Sequence, residues 1–236
     1  MDNKSIHEKL LEILKAVDEI CKKENLSYML TQGTLLGAIR EKGFIEWDIE
    51  DADLMMHRKD FNYFIRYCRE NLDSLAFFLG KDPESGLTHR LILKQNPEIF
   101  VEIFLIDSLP QNKLKRNYKI LSLRLINGMI REHNSYSGKS IVHKIKTFGI
   151  GCLGRLFGHD TKLKLYNTVS QKWNDEDSNS VFLSNEDSVK MIHEFDRNLF
   201  NEAIRVPFED TELLVPKGWD ALLKFYYGDD YMTPRR

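Results

Sequence analysis

The stretch that most restricts the fold is "EDADLMM", residues 50–56, where Asp51 and Asp53 alternate with Ala52 and Leu54 ahead of two methionines. Alternation at a period of two marks a strand with one buried face, and side chains two apart project to the same side. Asp51 and Asp53 therefore stand together while Ala52 and Leu54 face a core. Carboxylates held this close repel, so the fold needs a cation between them. A hard divalent ion with oxygen ligands, Mg²⁺ or Mn²⁺, suits the pair and leaves coordination positions open for phosphate oxygens.

A third acid lies in a second apolar run, "FVEIFLID", where Glu102 is flanked by Val101, Ile103, Phe104 and Leu105. An acid in such a run is costly to bury unless a cation compensates it, which makes Asp51, Asp53 and Glu102 a metal-binding trio. The competing reading is a solvated acidic loop. Upstream, "TQGTLLGAIR" places Gly33 and Thr34, with Gln32 before them, at a strand-to-helix turn. Free N–H groups and the helix dipole favour an anion there. A phosphate turn beside a metal strand is what a nucleotide diphosphate donor requires.

The rest of the chain reads as α+β with an α/β-like core. "SIHEKLLEILKAVDEICKKENL" has apolar residues three and four apart, the period of an amphipathic helix ending near Lys22 and Lys23. "DFNYFIRYCREN" is helical, whereas "RLILK" and "IFVEIFLID" are strands joined at an Asn-Pro turn. Residues 111–175 read as mostly helical. A small β element is expected within 195–215, and a last helix, "GWDALLKFYYG", stops at Gly228.

Length suits one domain: a catalytic core half at 1–110, a basic helical region at 111–195, and a block at 196–236 that completes it. No apolar run approaches the roughly 20 residues of a membrane span, and "MDNKSIHEKL" lacks the apolar centre of a signal peptide, so a cytoplasmic protein is expected. Cys21, Cys68 and Cys152 form neither a disulfide framework nor a zinc pattern. The histidines lack metal-ligand spacing. "GIGCLG", residues 149–154, fits G-x-G-x-x-G but follows a basic segment of helical spacing, so no dinucleotide site is expected.

Although the net charge is only −2, thirteen basic residues between 111 and 172 face Glu132 and Asp160 alone. A basic middle in an otherwise acidic chain suits nucleic acid, lipid headgroups or a phosphorylated glycan, or else a solvated helical face. The helix around Ile141, Ile145, Phe148 and Cys152 has the look of an interfacial segment that would lie against a membrane.

Three separated blocks resemble one family. "QGTLLGAIREKGFIEWD" with "DADLMMHRKDF", then "FVEIFLIDSLP", then "FEDTELLVPKGWDALLKFYYGDDYMTP" are similar, in order, to the signatures of the LicD family. That family includes bacterial phosphocholine transferases and animal fukutin-type proteins. The resemblance covers roughly residues 25–110 and 200–234, and the joint occurrence of the blocks is highly specific. It implies a nucleotidyltransferase-like mixed sheet with flanking helices and a basic helical insertion. Carried over by position, it makes Gly33 and Thr34 the phosphate turn, Asp51 and Asp53 the metal pair, and Glu102 the third acid, where the family usually has Asp.

The resemblance also implies a CDP-linked phosphoalcohol as donor, with phosphocholine the leading case, and a sugar hydroxyl of a glycan or lipid-linked glycan as acceptor. Teichoic acid, lipooligosaccharide and capsule are the glycans in view. No nucleic acid partner is expected. The protein would work in the cytoplasm or at the inner face of the membrane, with residues 111–172 in contact with it. Candidates for the base that takes the acceptor proton are Asp107, Asp48 and Glu50. Arg40 and Arg58 could hold phosphate oxygens, each being otherwise a surface ion pair. Lys217, Tyr227 and Tyr231 belong to the block implied to close over the site. An aromatic cage of Trp47, Trp219 and these tyrosines would suit a quaternary ammonium.

One stretch departs from the family. The usual run is Trp-Asp-Asp-Asp-Ile-Asp, whereas "WDIEDAD" is one residue longer. Anchoring on the two aspartates puts a one-residue bulge before them. Two other readings use the same acids: a nucleotidyltransferase that forms a CDP-activated product, and a non-catalytic protein that binds a nucleotide or a glycan.

Overall fold

A computed structural model of the chain describes residues 2–48, 51–130, 154–186 and 193–234. Helix α1 (Asn3–Glu24) starts where the Asp2 side chain accepts from the Ser5 N–H and ends at Asn25, which adopts the left-handed conformation. Its apolar stripe, including Leu10, Ile13, Leu14 and Val17, is buried. Strand β1 (Met29–Leu30) leads into α2 (Gln32–Arg40), so the helix begins one residue before the expected Gly33. Strand β2 (Ala52–His57) runs directly into α3 (Arg58–Glu70).

The sheet is completed by β3 (Phe77–Lys81), β4 (His89–Leu93) and the long β5 (Phe100–Leu109). Its order is β1-β2-β5-β4-β3, with β2 and β5 parallel and the other pairs antiparallel. The second half of β5 changes partner to β6 (Ser180–Leu183), which in turn pairs with β7 (Phe195–Asp196). Between β4 and β6 the edge of β5 is filled by one side chain. Asn185 accepts from the Leu105 N–H at 2.7 Å and donates to the Ile103 carbonyl at 2.8 Å. The mixed sheet and flanking helices agree with the α+β, nucleotidyltransferase-like reading. Sequence inspection did not single out β3 or β6.

The two faces of the sheet carry different layers. Ala52, Leu54 and Met56 of β2 stand opposite Val101, Ile103 and Leu105 of β5, and the alternation sends these residues to one side. There they join α1 and α3 in the main core, where Phe64 and Phe77 are fully buried, each worth about 1.5–3 kcal/mol. The other side carries Asp53 and Glu102.

Helices α4 (Lys113–Ile130) and α5 (His159–Gln171) build a second small core with Leu109 and Phe182. Two of their basic residues are not a solvated face. Lys119 is fully buried, donates to the Ser108 and Lys172 carbonyls, and has its pKa pushed down to about 8 by burial. Buried Lys162 donates to the Met129 carbonyl. The interfacial segment around Ile141–Cys152 and most of "GIGCLG" lie outside the described residues. No helix among the described residues is long and apolar enough to cross a membrane.

The hairpin of β8 (Ala203–Phe208) and β9 (Thr211–Pro216) forms a separate two-stranded sheet that packs beside β1, and α6 (Trp219–Tyr227) packs against α2. Arg205 of β8 pairs with Asp18 of α1 at 2.9 Å, which fastens the hairpin to the first helix.

Candidate active site

In the parallel pair, Asp53 of β2 stands opposite Glu102 of β5, so both carboxylates leave the same face of the sheet. Asp51, just before β2, reaches the same place: one carboxylate oxygen each of Asp51, Asp53 and Glu102 lies within 4.8 Å of the others. Burial raises the Asp53 carboxyl well above the usual range, and the charges of Asp51, Glu102 and Asp48 raise it further. Three hard oxygen donors at this separation fit a divalent cation, and their mutual repulsion is what such an ion would relieve. Glu102 is steadied by Arg90, which stands opposite it on β4 and donates to Oε1 at 2.8 Å. Arg90 also pairs with Asp82 at 3.1 Å.

The start of α2 is latched to this strand by two hydrogen bonds. The Thr31 N–H donates to the Asp53 carbonyl at 3.1 Å, and the Asp53 N–H donates to the Thr34 hydroxyl oxygen at 2.8 Å. Thr34 is thus a buried brace between α2 and β2. The first backbone bond inside α2 is from the Leu35 N–H, so the N–H groups of Gln32, Gly33 and Thr34 crown the helix start. Gln32 holds φ at 48°, a left-handed backbone that a non-glycine residue seldom takes. At Gly33 a Cβ would come within 2.5 Å of Asp48 Oδ2, so the missing side chain lets that carboxylate lie over the helix start.

Asp48 is placed by a loop that α1 holds from beneath. A His7 ring nitrogen lies 2.9 Å from the Asp48 carbonyl, and the same ring stacks on Phe44 at 4.6 Å. Asn3 donates to the Glu46 carbonyl at 3.1 Å. Glu50 and the expected bulge lie outside the described residues.

Next to the acids opens a cavity of about 450 Å³. Trp47, Tyr226, Tyr227 and Tyr231 give it aromatic walls, Asp48 and Asp230 give it carboxylates, and Gly33 and Arg40 complete the rim. Arg40 donates to Glu41 at 2.7 Å and to the Tyr231 carbonyl at 3.2 Å. The Tyr227 hydroxyl is pushed up to about 12, by burial first and then by Asp53 and Asp48. Tyr226 is shifted the same way, with burial again the largest cause. Both therefore stay protonated at neutral pH. The Tyr231 hydroxyl donates to Asp220 at 2.7 Å.

The geometry corrects several expectations. Asp107 is five residues beyond Glu102 on β5, an odd step, so it leaves the opposite face of the sheet. There it is buried and accepts from both Arg58 and Asn174, which removes it as a base. Arg58 is spent on the same pair and on Asn167 and Ser184, so it does not hold donor phosphate. Lys217 pairs with Glu202 at the surface and does not line this cavity. Trp219 packs against the core and not in the cage.

Sequence inspection missed Arg90, His7, Tyr226 and Asp230. Tyr226 had a visible signal, because the i, i+4 steps from Leu222 to Tyr226 and from Leu223 to Tyr227 place both tyrosines on neighbouring helix faces. Arg90 and His7 had none, since each acts through a contact distant in the chain.

Residues 25–120 match the LicD/FKTN/FKRP nucleotidyltransferase domain. Over 95% of its length the chain is 27% identical to the lipopolysaccharide cholinephosphotransferase LicD of Haemophilus influenzae, of which it spans 89%. It is also 25% identical to an uncharacterized protein of Rickettsia prowazekii, over 44% of this chain and 41% of that one.

Proposed function

From a chain that carries a LicD-family nucleotidyltransferase domain, we infer an enzyme that transfers phosphocholine from a CDP-linked donor to a sugar hydroxyl of a cell-surface glycan. The observation that carries this reading is a three-carboxylate cluster whose Asp53 acts electrostatically on Asp48 and Tyr227, two residues that line an aromatic cavity. The first would hold a divalent ion able to attract the diphosphate of an activated donor, and the second suits a trimethylammonium group. The kinship with a lipopolysaccharide cholinephosphotransferase points to the same donor alcohol and to a lipopolysaccharide-type acceptor.

Asp51, Asp53 and Glu102 would hold Mg²⁺ or Mn²⁺, and a bound ion would supply positive charge to a diphosphate and its leaving CMP. The other tasks belong to the chain itself. The N–H groups at the start of α2 hold a phosphate oxygen, and Thr34 keeps that helix in register with the metal strand. The faces of Trp47, Tyr226 and Tyr227 hold the choline cation, with Asp48 and Asp230 adding negative charge. Asp48 is the base for the acceptor hydroxyl: it lies against the phosphate turn and close enough to Asp53 to raise its pKa.

The test is product analysis with CDP-choline, Mg²⁺ and a lipooligosaccharide acceptor. CMP release that depends on the acceptor, together with an acceptor mass increased by phosphocholine, supports the transfer. Pyrophosphate release from CTP and phosphocholine, with CDP-choline formed and no glycan acceptor needed, would replace it with a nucleotidyltransferase. Asp53→Asn should lower turnover on the order of 10³-fold, and full activity in that variant would end the metal assignment.

A further inference from the structure

A second cavity, of about 570 Å³, opens on the side of the sheet that faces away from the acidic trio. It lies between α3, the β3–β4 hairpin and α5. Four exposed cations surround it: Arg66 and Arg69, one turn apart on α3, Lys81 at the end of β3, and Lys164 on α5. Among the described residues no carboxylate forms an ion pair with any of the four, and Asp160, which also lines the cleft, acts on Lys81 through its charge. The Arg58 charge at the cavity floor is already neutralised by Asp107, and half-buried His89 is uncharged, its pKa pushed down to about 3, mainly by desolvation.

Four cations from three separate elements, none of them in an ion pair among the described residues and one, Arg66, lying over the Tyr63 ring at 4.6 Å, repel one another and gain by binding a multiply charged anion. The walls add apolar surface from Leu163 and Leu87 and exposed amides from Asn62 and Asn167. A bare phosphate would use neither. A sugar would use both, through its C–H face and its hydroxyls.

We propose that this cleft binds a phosphorylated saccharide at a site separate from the transfer centre. The saccharide has two possible sources, a phosphorylated part of the acceptor glycan or a free sugar phosphate, and both present the same chemistry to the cleft.

The experiment begins with calorimetric titration of the full chain with glucose 1-phosphate, inorganic phosphate and glucose, in EDTA so that no ion recruits phosphate to the acids. Glucose 1-phosphate should bind at least about tenfold more tightly than either of the others. The Arg69→Ala/Lys164→Ala double variant should weaken it about tenfold or more, whereas Asp53→Asn should leave it unchanged. Both cleft positions are exposed, and an unchanged melting temperature confirms the fold. Absence of binding, equal affinity for phosphate alone, or binding untouched by the double variant would overturn the proposal. No donor or turnover enters this measurement, so it stands or fails independently of phosphocholine transfer. Steady-state kinetics then separates the sources. A raised KM for the glycan acceptor with unchanged kcat marks the acceptor's own phosphate, and an unchanged acceptor KM marks a free sugar phosphate.

Discussion

Asp53 shows how one residue couples folding to function. Without metal its folded pKa lies above the unfolded value of 3.8, so the folded state holds the proton more tightly. The stability this gives is complete below the unfolded pKa and is lost as pH rises through the folded one. Metal-free protein should therefore lose denaturant stability over that interval. Asp53→Asn should flatten the slope, and Mg²⁺ should reverse it by replacing the proton. Proton uptake or release during metal titration, read by calorimetry in buffers of different ionisation enthalpy, checks the same linkage. Asp107 makes the opposite case. Asp107→Asn leaves Arg58 buried without its counter-charge and should cost about 3 kcal/mol in a denaturant melt, with kcat per folded molecule nearly unchanged. A large loss of kcat at full stability would return Asp107 to the chemistry. Asp51, Asp53 and Glu102 were legible in the sequence because acids inside apolar alternation are anomalous wherever the strand goes. The roles of Asp107 and Arg58 were not legible, because they depend on which face of the sheet each side chain leaves.

At the scale of elements, the sheet depends on small joints between strands. Asn185→Ala would leave the Leu105 N–H and the Ile103 carbonyl without their partner on the edge of β5. That should cost about 1–3 kcal/mol and speed hydrogen exchange at the Leu105 amide. The tie between α1 and β8 has a pH signature. Burial works to raise the Asp18 pKa, but hydrogen bonds from Arg205, Lys22 and Tyr28 outweigh it and hold the group below its ordinary value. Its contribution is present above the unfolded pKa and is lost as pH falls through the lowered folded one. Asp18→Asn should remove about 1–2 kcal/mol at neutral pH and blunt the acid limb of the stability profile, since Arg205 stays partly solvated. Helices α1, α3 and α6 and strands β2, β4 and β5 were readable because their periods are local. Strands β3 and β6 were not, since "FFLGK" and "SVFL" show no alternation of their own and take their strand identity from neighbours in the sheet.

Across the whole molecule, the loop at 44–48 and the segment at 226–231 meet only in three dimensions, yet they wall one cavity. CDP-choline with Mg²⁺ should therefore slow hydrogen exchange in both segments together, while amides around Arg66, Arg69 and Lys164 stay unchanged. Protection of one segment alone would separate the aromatic cavity from the donor site. The basic middle of the chain also changes meaning at this scale. Lys119 and Lys162 are interior, Lys115 and Arg116 are paired with Glu176 and Glu194, and Lys164 belongs to the cleft behind the sheet. By itself the sequence determined the helices and strands with strong periods, the acids set among apolar strand residues, and the glycine turn before them. These follow from spacing along a few residues, which the chain carries wherever it folds. Only the tertiary structure decided that Asp53 stands opposite Glu102, that Asp107 leaves the other face, and that Trp47 lines one cavity with Tyr226 and Tyr227. Register between strands and the docking of α6 are set by packing across long separations, and no local pattern encodes them.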